Sequence, residues 1–145
     1  MHNLLRVSDA VSLAFHTLWL LAERQNELLR TPEIAEILSV SEHHLQKVHQ
    51  RLAKAGFIRA VRGPKGGFIL NRSPEKITLM QIYEAIDGPL ETRRCMLGRS
   101  TCRVQDCLLG ELVEEVNQLV RRHFEKITLA ELAKTDLENS MEKIG

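Results

Sequence analysis

The sequence predicts a mainly α-helical fold that carries one two-stranded hairpin and a long helix toward its C-terminal end. Three observations lead there. Apolar residues recur at three-four spacing in several capped stretches. Two β-prone segments flank a Gly/Pro turn, Arg62-Gly63-Pro64-Lys65-Gly66-Gly67. An apolar stripe then runs from Leu109 to Phe124. At 145 residues the chain can bury one core, or form a small domain with an extension. Its 43% hydrophobic and 27% charged content is ordinary for a globular protein.

The elements follow in order. Ser8 can cap a helix carrying Val11, Ala14, Phe15, Leu18, Leu21 and Ala22 and ending near Arg24. Thr31-Pro32 reads as a hydroxyl N-cap followed by Pro at the first helical position, where the missing N–H costs nothing. That helix continues through Ile34, Ala35 and Leu38, turns at Ser39-Val40, and hands over to a third helix capped by Ser41. The third helix buries Leu45, Val48 and Leu52 and stops at Gly56. Two short helices joined by a tight turn form a helix-turn-helix, and the hairpin over 57–62 and 67–70 would be its wing. Thr78 caps a further helix through Ile82 and Ile86 to a stop at Gly88. Residues 90–107 lose all periodicity and read as a loop. The long helix, from near Cys107 to about Glu125, carries Leu109, Leu112, Val113, Val116, Leu119, Val120 and Phe124, a stripe suited to a partner helix from a second subunit. Thr128 caps a last short helix, and a frayed polar tail is expected from Lys134. The expected organisation is a winged helix-turn-helix domain over 1–89, a cysteine loop over 90–107, and a dimerisation helix with a short terminal helix over 108–145.

Charge is unevenly distributed. Residues 1–72 hold ten Lys/Arg against six Asp/Glu, whereas 73–145 hold ten against thirteen. Between His43 and Pro74 there are seven Lys/Arg, three His and no acid. An acid-free surface of this shape suits a polyanion, because each cation that meets a phosphate releases condensed counterions. A merely solvated basic face is the plain alternative. The coincidence of helix pair, glycine stop and Gly-rich hairpin favours double-stranded DNA. The second helix of such a pair lies in the major groove, so Ser41, Glu42, His43, His44, Gln46, Lys47, His49 and Gln50 are expected on its exposed early face. Gln can pair with adenine and Lys47 with guanine or phosphate. Arg51, Lys54 and Arg59 sit where the backbone would pass, and Arg62, Gly63, Pro64 and Lys65 form a tip able to enter a minor groove. His16 reads as a partly buried, satisfied side chain.

Cys95, Cys102 and Cys107 fall within thirteen residues, with no cysteine elsewhere. An odd count argues against a disulfide framework and toward metal or redox chemistry. Three thiolates on a loop can hold an iron–sulfur cluster, and the flanking Arg93, Arg94, Arg99 and Arg103 would favour thiolate and offset cluster charge. A zinc site, a reactive thiol or three inert cysteines remain alternatives. Met1 to Leu5 leads into a patterned helix without a cleavage site, and Leu13 to Ala22 is too short to span a bilayer. A cytoplasmic protein without a membrane partner is expected. No nucleophile–base pair, phosphate loop or carboxylate dyad points to an enzyme.

Thr31-Pro32, Ile34-Ala35, Val40-Ser41, Leu52-Ala53-Lys54-Ala55-Gly56-Phe57-Ile58 and Val61-Arg62-Gly63-Pro64-Lys65-Gly66-Gly67-Phe68 together closely resemble the Rrf2 family of winged-helix regulators, which includes the IscR and NsrR types. Ile77-Thr78-Leu79, Asp87-Gly88 and Ile127-Thr128-Leu129-Ala130-Glu131-Leu132 are similar to family signatures too. The resemblance covers nearly the whole chain. It implies a homodimer crossed by the helix near 108–125, each subunit reading half of a pseudo-palindromic operator, with a cluster on Cys95, Cys102 and Cys107. IscR-type members carry a His three residues after the third Cys, where this chain has Gly110. The fourth ligand must then come from elsewhere. The nitric-oxide-sensing branch takes a carboxylate from near the partner's N-terminus. Ser12 falls at that position, with Asp9 one turn earlier, so Asp9 of the partner subunit is the candidate; Asp106, Glu111, a small thiol or water are alternatives. The missing His favours [4Fe–4S] over [2Fe–2S]. A cluster-free regulator sensing thiol state or a protein partner, and an iron–sulfur carrier that never touches DNA, are the competing expectations.

Overall fold

The computed structural model describes residues 5, 7–91, 94–98 and 103–142. Among these residues, seven α-helices and one hairpin follow in the order α1 (Asp9–Glu23), α2 (Thr31–Leu38), α3 (Glu42–Lys54), β1 (Ile58–Val61), β2 (Gly67–Leu70), α4 (Leu79–Asp87), α5 (Leu108–Lys126), α6 (Leu129–Leu132) and α7 (Leu137–Glu142). The fold is the predicted mainly helical one, with an antiparallel two-stranded sheet.

The core is built around α1. Ser8 caps it by accepting from the Val11 N–H at 3.1 Å. Val11, Ala14, Leu18, Leu20, Leu21 and Ala22 are all buried. Leu20 lies off the main stripe and is buried because α1 has neighbours on several sides, namely α3, α4, α6 and β2. Burying a side chain of this size stabilises by roughly 1.5–3 kcal/mol. Against α1, α2 turns Ile34, Ala35 and Leu38 inward, and α3 turns Leu45, Val48 and Leu52. Ser39 takes a left-handed conformation between the two helices (φ 55°), which makes the turn tight. Gly56 (φ 83°) ends α3 and reverses the chain into β1.

The second half is joined to the first by backbone. Thr78 and Thr128 form an isolated antiparallel bridge, with Leu79 N–H donating to the Ile127 carbonyl at 3.1 Å and Leu129 N–H to the Ile77 carbonyl at 2.8 Å. Each threonine also opens a capping box, with Gln81 for α4 and Glu131 for α6. The C-terminal end of α5 is fixed by Phe124, whose ring meets Phe15 edge-on at 5.7 Å and Tyr83 at 5.8 Å. The apolar stripe of α5 therefore splits in two. Val120 and Phe124 pack against the core, while Leu109, Leu112, Val116 and Leu119 stay about half exposed.

Two expectations are corrected. The N-cap of α2 is Arg30, whose backbone N–H donates to Glu33 at 2.8 Å, and Thr31 is already helical. The Thr31 hydroxyl turns inward to a buried histidine instead of capping the helix. The tail beyond Lys134 folds back on α1 instead of fraying. Trp19 Nε1 donates to the Thr135 carbonyl at 2.9 Å, Glu23 accepts from the Leu137 N–H, Arg24 pairs with Glu138, and Leu137 is buried. Polar composition hid this because the apolar anchors, Leu137 and Met141, are sparse in a polar stretch. Replacing Leu137 with Ala should cost about 2 kcal/mol or more, read as a lower urea midpoint with unchanged slope.

Candidate nucleic-acid interface and cysteine loop

The recognition helix is amphipathic in a way its charge alone does not show. Leu45, Val48, His49 and Leu52 form the inner face, at the i, i+3, i+4, i+7 spacing that a helix requires. Glu42, His43, His44, Gln46, Lys47 and Gln50 are exposed on the other side. The expectation that His49 is exposed is thus overturned. Helical periodicity places it between Leu45 and Leu52, and it is 1% exposed.

His49 is held from three directions. Its Nε2 pairs with the Thr17 hydroxyl of α1 at 3.3 Å, and its Nδ1 pairs with the Thr31 hydroxyl of α2 at 3.1 Å. The ring meets Phe68 of β2 edge-on at 5.0 Å. A hydroxyl can donate or accept, so neutral imidazole is satisfied in either tautomer. Burial lowers its pKa from 6.5 to about 4. His16 matches its expectation, half-buried with Nδ1 2.6 Å from the Ser12 carbonyl and its ring stacked on Trp19.

The wing is anchored as firmly as the helix. Leu29 and Phe68 exchange backbone hydrogen bonds at 3.1 and 2.8 Å, tying β2 to the segment that enters α2. A side chain at Gly67 would put a Cβ 2.8 Å from the Leu29 carbonyl oxygen, and one at Gly66 would lie 2.1 Å from the Val61 oxygen. These two glycines are demanded by close backbone approach. Beyond them Arg62, Gly63, Pro64 and Lys65 form an exposed tip, closed by Gly66 N–H donating to the Gly63 carbonyl at 2.9 Å. Between wing and recognition helix lies a groove of about 380 Å³.

Ser41, which caps α3 through the His44 N–H, and Lys54 and Arg59 are exposed at this surface as well. Arg51 is turned toward α4, where its guanidinium donates to the carbonyl of Ile86. Arg72 is a structural cation: it lies 4.4 Å over the Phe57 ring and donates to the Ala55 carbonyl at 2.7 Å.

The cysteine loop follows the C-terminal end of α4, the same end that Arg51 meets at Ile86. Arg121 of α5 donates to the Leu90 carbonyl at 3.2 Å as the chain enters the loop. Arg94 pairs with Glu114 of α5 at 3.2 Å and packs on Gly110, where an added Cβ would lie 3.4 Å from both the Arg94 Cγ and its carbonyl oxygen. Cys95 and Cys107 are half-buried and form no disulfide, with Cys107 immediately preceding α5. Cys102, Arg93 and Arg99 lie outside the described residues. Asp9, Asp106 and Glu111 are exposed. Among the described residues no three His, Cys, Asp or Glu come together as a metal site. No helix among them is long and apolar enough to cross a membrane.

A basic recognition helix with an anchored, glycine-tipped wing defines a winged-helix DNA-binding protein. Residues 7–135 match the Rrf2 family model, described as an iron-dependent transcriptional regulator. The chain belongs to that family, and it is a transcriptional regulator of the IscR- and CymR-like kind. It is 33% identical over 101 residues to the HTH-type transcriptional regulator IscR of Pectobacterium carotovorum, an alignment covering 69% of this chain and 61% of that one. Among solved structures it is similar to IscR of T. potens (25% identity, TM-score 0.70, covering 90% of this chain and 87% of that one). It also shares the fold of CymR, the global cysteine regulator of B. subtilis (24% identity, TM-score 0.77, covering 92% of this chain and all of that one).

His49 ties stability to pH with a definite sign. The unfolded chain takes up a proton near 6.5 and the folded chain only near 4. Stability should therefore fall as pH drops through this window, by about 3 kcal/mol in all, and level off below it. Urea unfolding from pH 7.5 to 3.5 should show this slope, and His49→Gln should lack it. Gly67→Ala should displace the wing while leaving helical content unchanged, seen as lost duplex binding with a native far-ultraviolet spectrum.

Proposed function

We propose that this regulator binds operator DNA as a homodimer and that the chemistry of its cysteine loop sets its affinity. The observation that carries the reading is the attachment of the cysteine loop at both sides. Arg121 and Arg94 tie it to α5, and Arg51 ties the α4 end that leads into it to the recognition helix.

For the DNA contacts, Ser41, Glu42, His43, His44, Gln46, Lys47 and Gln50 would face the major groove, while Arg62, Gly63, Pro64 and Lys65 would enter the minor groove and Arg59 the backbone. Arg51 would brace α3 against α4, with its remaining donors free for phosphate. Leu109, Leu112, Val116 and Leu119 follow three-four-three spacing, the seam of a two-helix coil, which supports a second copy of α5 as their mate.

The loop residues suit a soft metal centre: half-buried Cys95 and Cys107 beside α5, with Arg94 and Arg103 near them. Cys95, Cys102 and Cys107 would hold an iron–sulfur cluster, which supplies a redox- and gas-sensitive centre when bound. Gly110 has no side chain to offer as a ligand, so Asp9 of the partner subunit remains the fourth donor proposed. The loop would then act on α5 through Arg94 and Glu114, altering the separation of the two recognition helices. Such a switch works only to the extent that DNA prefers one state.

Anaerobic reconstitution should give visible absorption that Cys102→Ala abolishes, and loaded and apo protein should differ in operator affinity at every salt concentration. Equal affinities would sink the sensing reading. Affinity that follows thiol oxidation in iron-free protein would replace the cluster by a thiol sensor. Leu112→Glu should yield a monomer by sedimentation.

A further inference from the structure

The groove between the wing and the recognition helix has a rim residue that the acid-free window 43–74 does not contain. Arg30 lines it, together with Pro32 from α2, Glu42 and Gln46 from α3, and Arg62 and Gly63 from the wing. Arg30 and Arg62 are both exposed, and neither takes part in an ion pair among the described residues. Glu33, three residues on, binds the Arg30 backbone N–H and not its guanidinium, and Glu27, three residues back, pairs with Arg24.

We infer that this groove seats one sugar-phosphate strand of the duplex, with Arg30 holding its phosphates from the rim opposite the wing residue Arg62. The inference rests on the DNA reading above and follows from the shape of the double helix. A major groove and the minor groove next to it are separated by one strand's backbone. If α3 occupies the first and the wing tip the second, that strand must pass through the gap between them. In this protein the gap is the groove, and Arg30 flanks it on the α2 side. Leu29 fixes the position of Arg30, since its backbone pairs with Phe68 of β2 and so sets the distance from α2 to the wing. Glu42 shares the groove, and its charge opposes a phosphate. It belongs on the base side, where a carboxylate can accept from cytosine. Arg30 is thus a positioning residue that sets register without reading sequence, and Glu42 a specificity residue that excludes wrong sequences.

The test uses the full-length protein and a labelled pool of random-sequence duplexes, alongside the tightest-binding member selected from that pool. Arg30→Gln should weaken binding to both by the same factor, roughly threefold or more, and lower the log–log salt slope by about one for each phosphate it no longer neutralises. Arg30→Lys should restore most of the affinity. Glu42→Gln should strengthen binding to the pool and narrow the gap between pool and selected duplex. Thermal melts should match wild type, because both side chains are exposed. Wild-type affinity in Arg30→Gln while Arg62→Gln weakens binding would overturn the strand seat and leave the DNA reading intact. A loss confined to the selected duplex would make Arg30 a base reader and overturn the seat too. Failure of the wild-type protein to bind any duplex would overturn both.

Discussion

A neutral imidazole at position 49 is the constraint on which the DNA-facing half depends. It joins α1 through Thr17, the start of α2 through Thr31 and the wing through Phe68, so one side chain sets how the recognition helix sits relative to α1, α2 and β2. A charged imidazole would bring an unpaired charge into the core, where desolvation is costly. A smaller apolar residue would leave two hydroxyls to find other partners. The position is polar yet buried, and both ring nitrogens are matched, which is the condition under which a buried polar group specifies an arrangement.

Backbone pairing does for the wing what His49 does for the helix. The Leu29–Phe68 bridge leaves no space for a side chain at Gly67, and the turn leaves none at Gly66. The wing is therefore aimed by the same segment that starts α2. Helix, wing and α2 entry are tied to one another on both sides of the groove.

The second half of the molecule is organised around a different pairing. Thr78 and Thr128 each cap a helix and pair with one another, so α4 and α6 start from one point. Phe124 holds the end of α5 beside them, while the beginning of α5 carries the cysteine loop and an open apolar seam. The end of α5 is thus anchored in the core, whereas its beginning, which follows Cys107, is exposed along the apolar seam.

The sequence by itself determined the helices up to α6, the hairpin and the wing tip, because these depend on local rules: hydroxyl caps at Ser8, Ser41 and Thr78, stops at Gly56 and Gly88, and apolar spacing of 3.6 residues. It marked the exposed face of α3 from Glu42 to Gln50 for the same reason, and the period that gave that face also buries His49, a consequence obscured by the polar character of histidine. Tertiary structure alone decided what depends on meetings between residues far apart in the chain. Thr31 turned from cap to core because His49 is there to meet it, and the tail beyond Lys134 docked because Trp19, Glu23 and Arg24 offer it partners. Arg30 joined the wing's groove because Leu29 pairs with Phe68. Long-range pairings of this kind leave no periodic trace, since each rests on one or two residues whose partners are dozens of positions away.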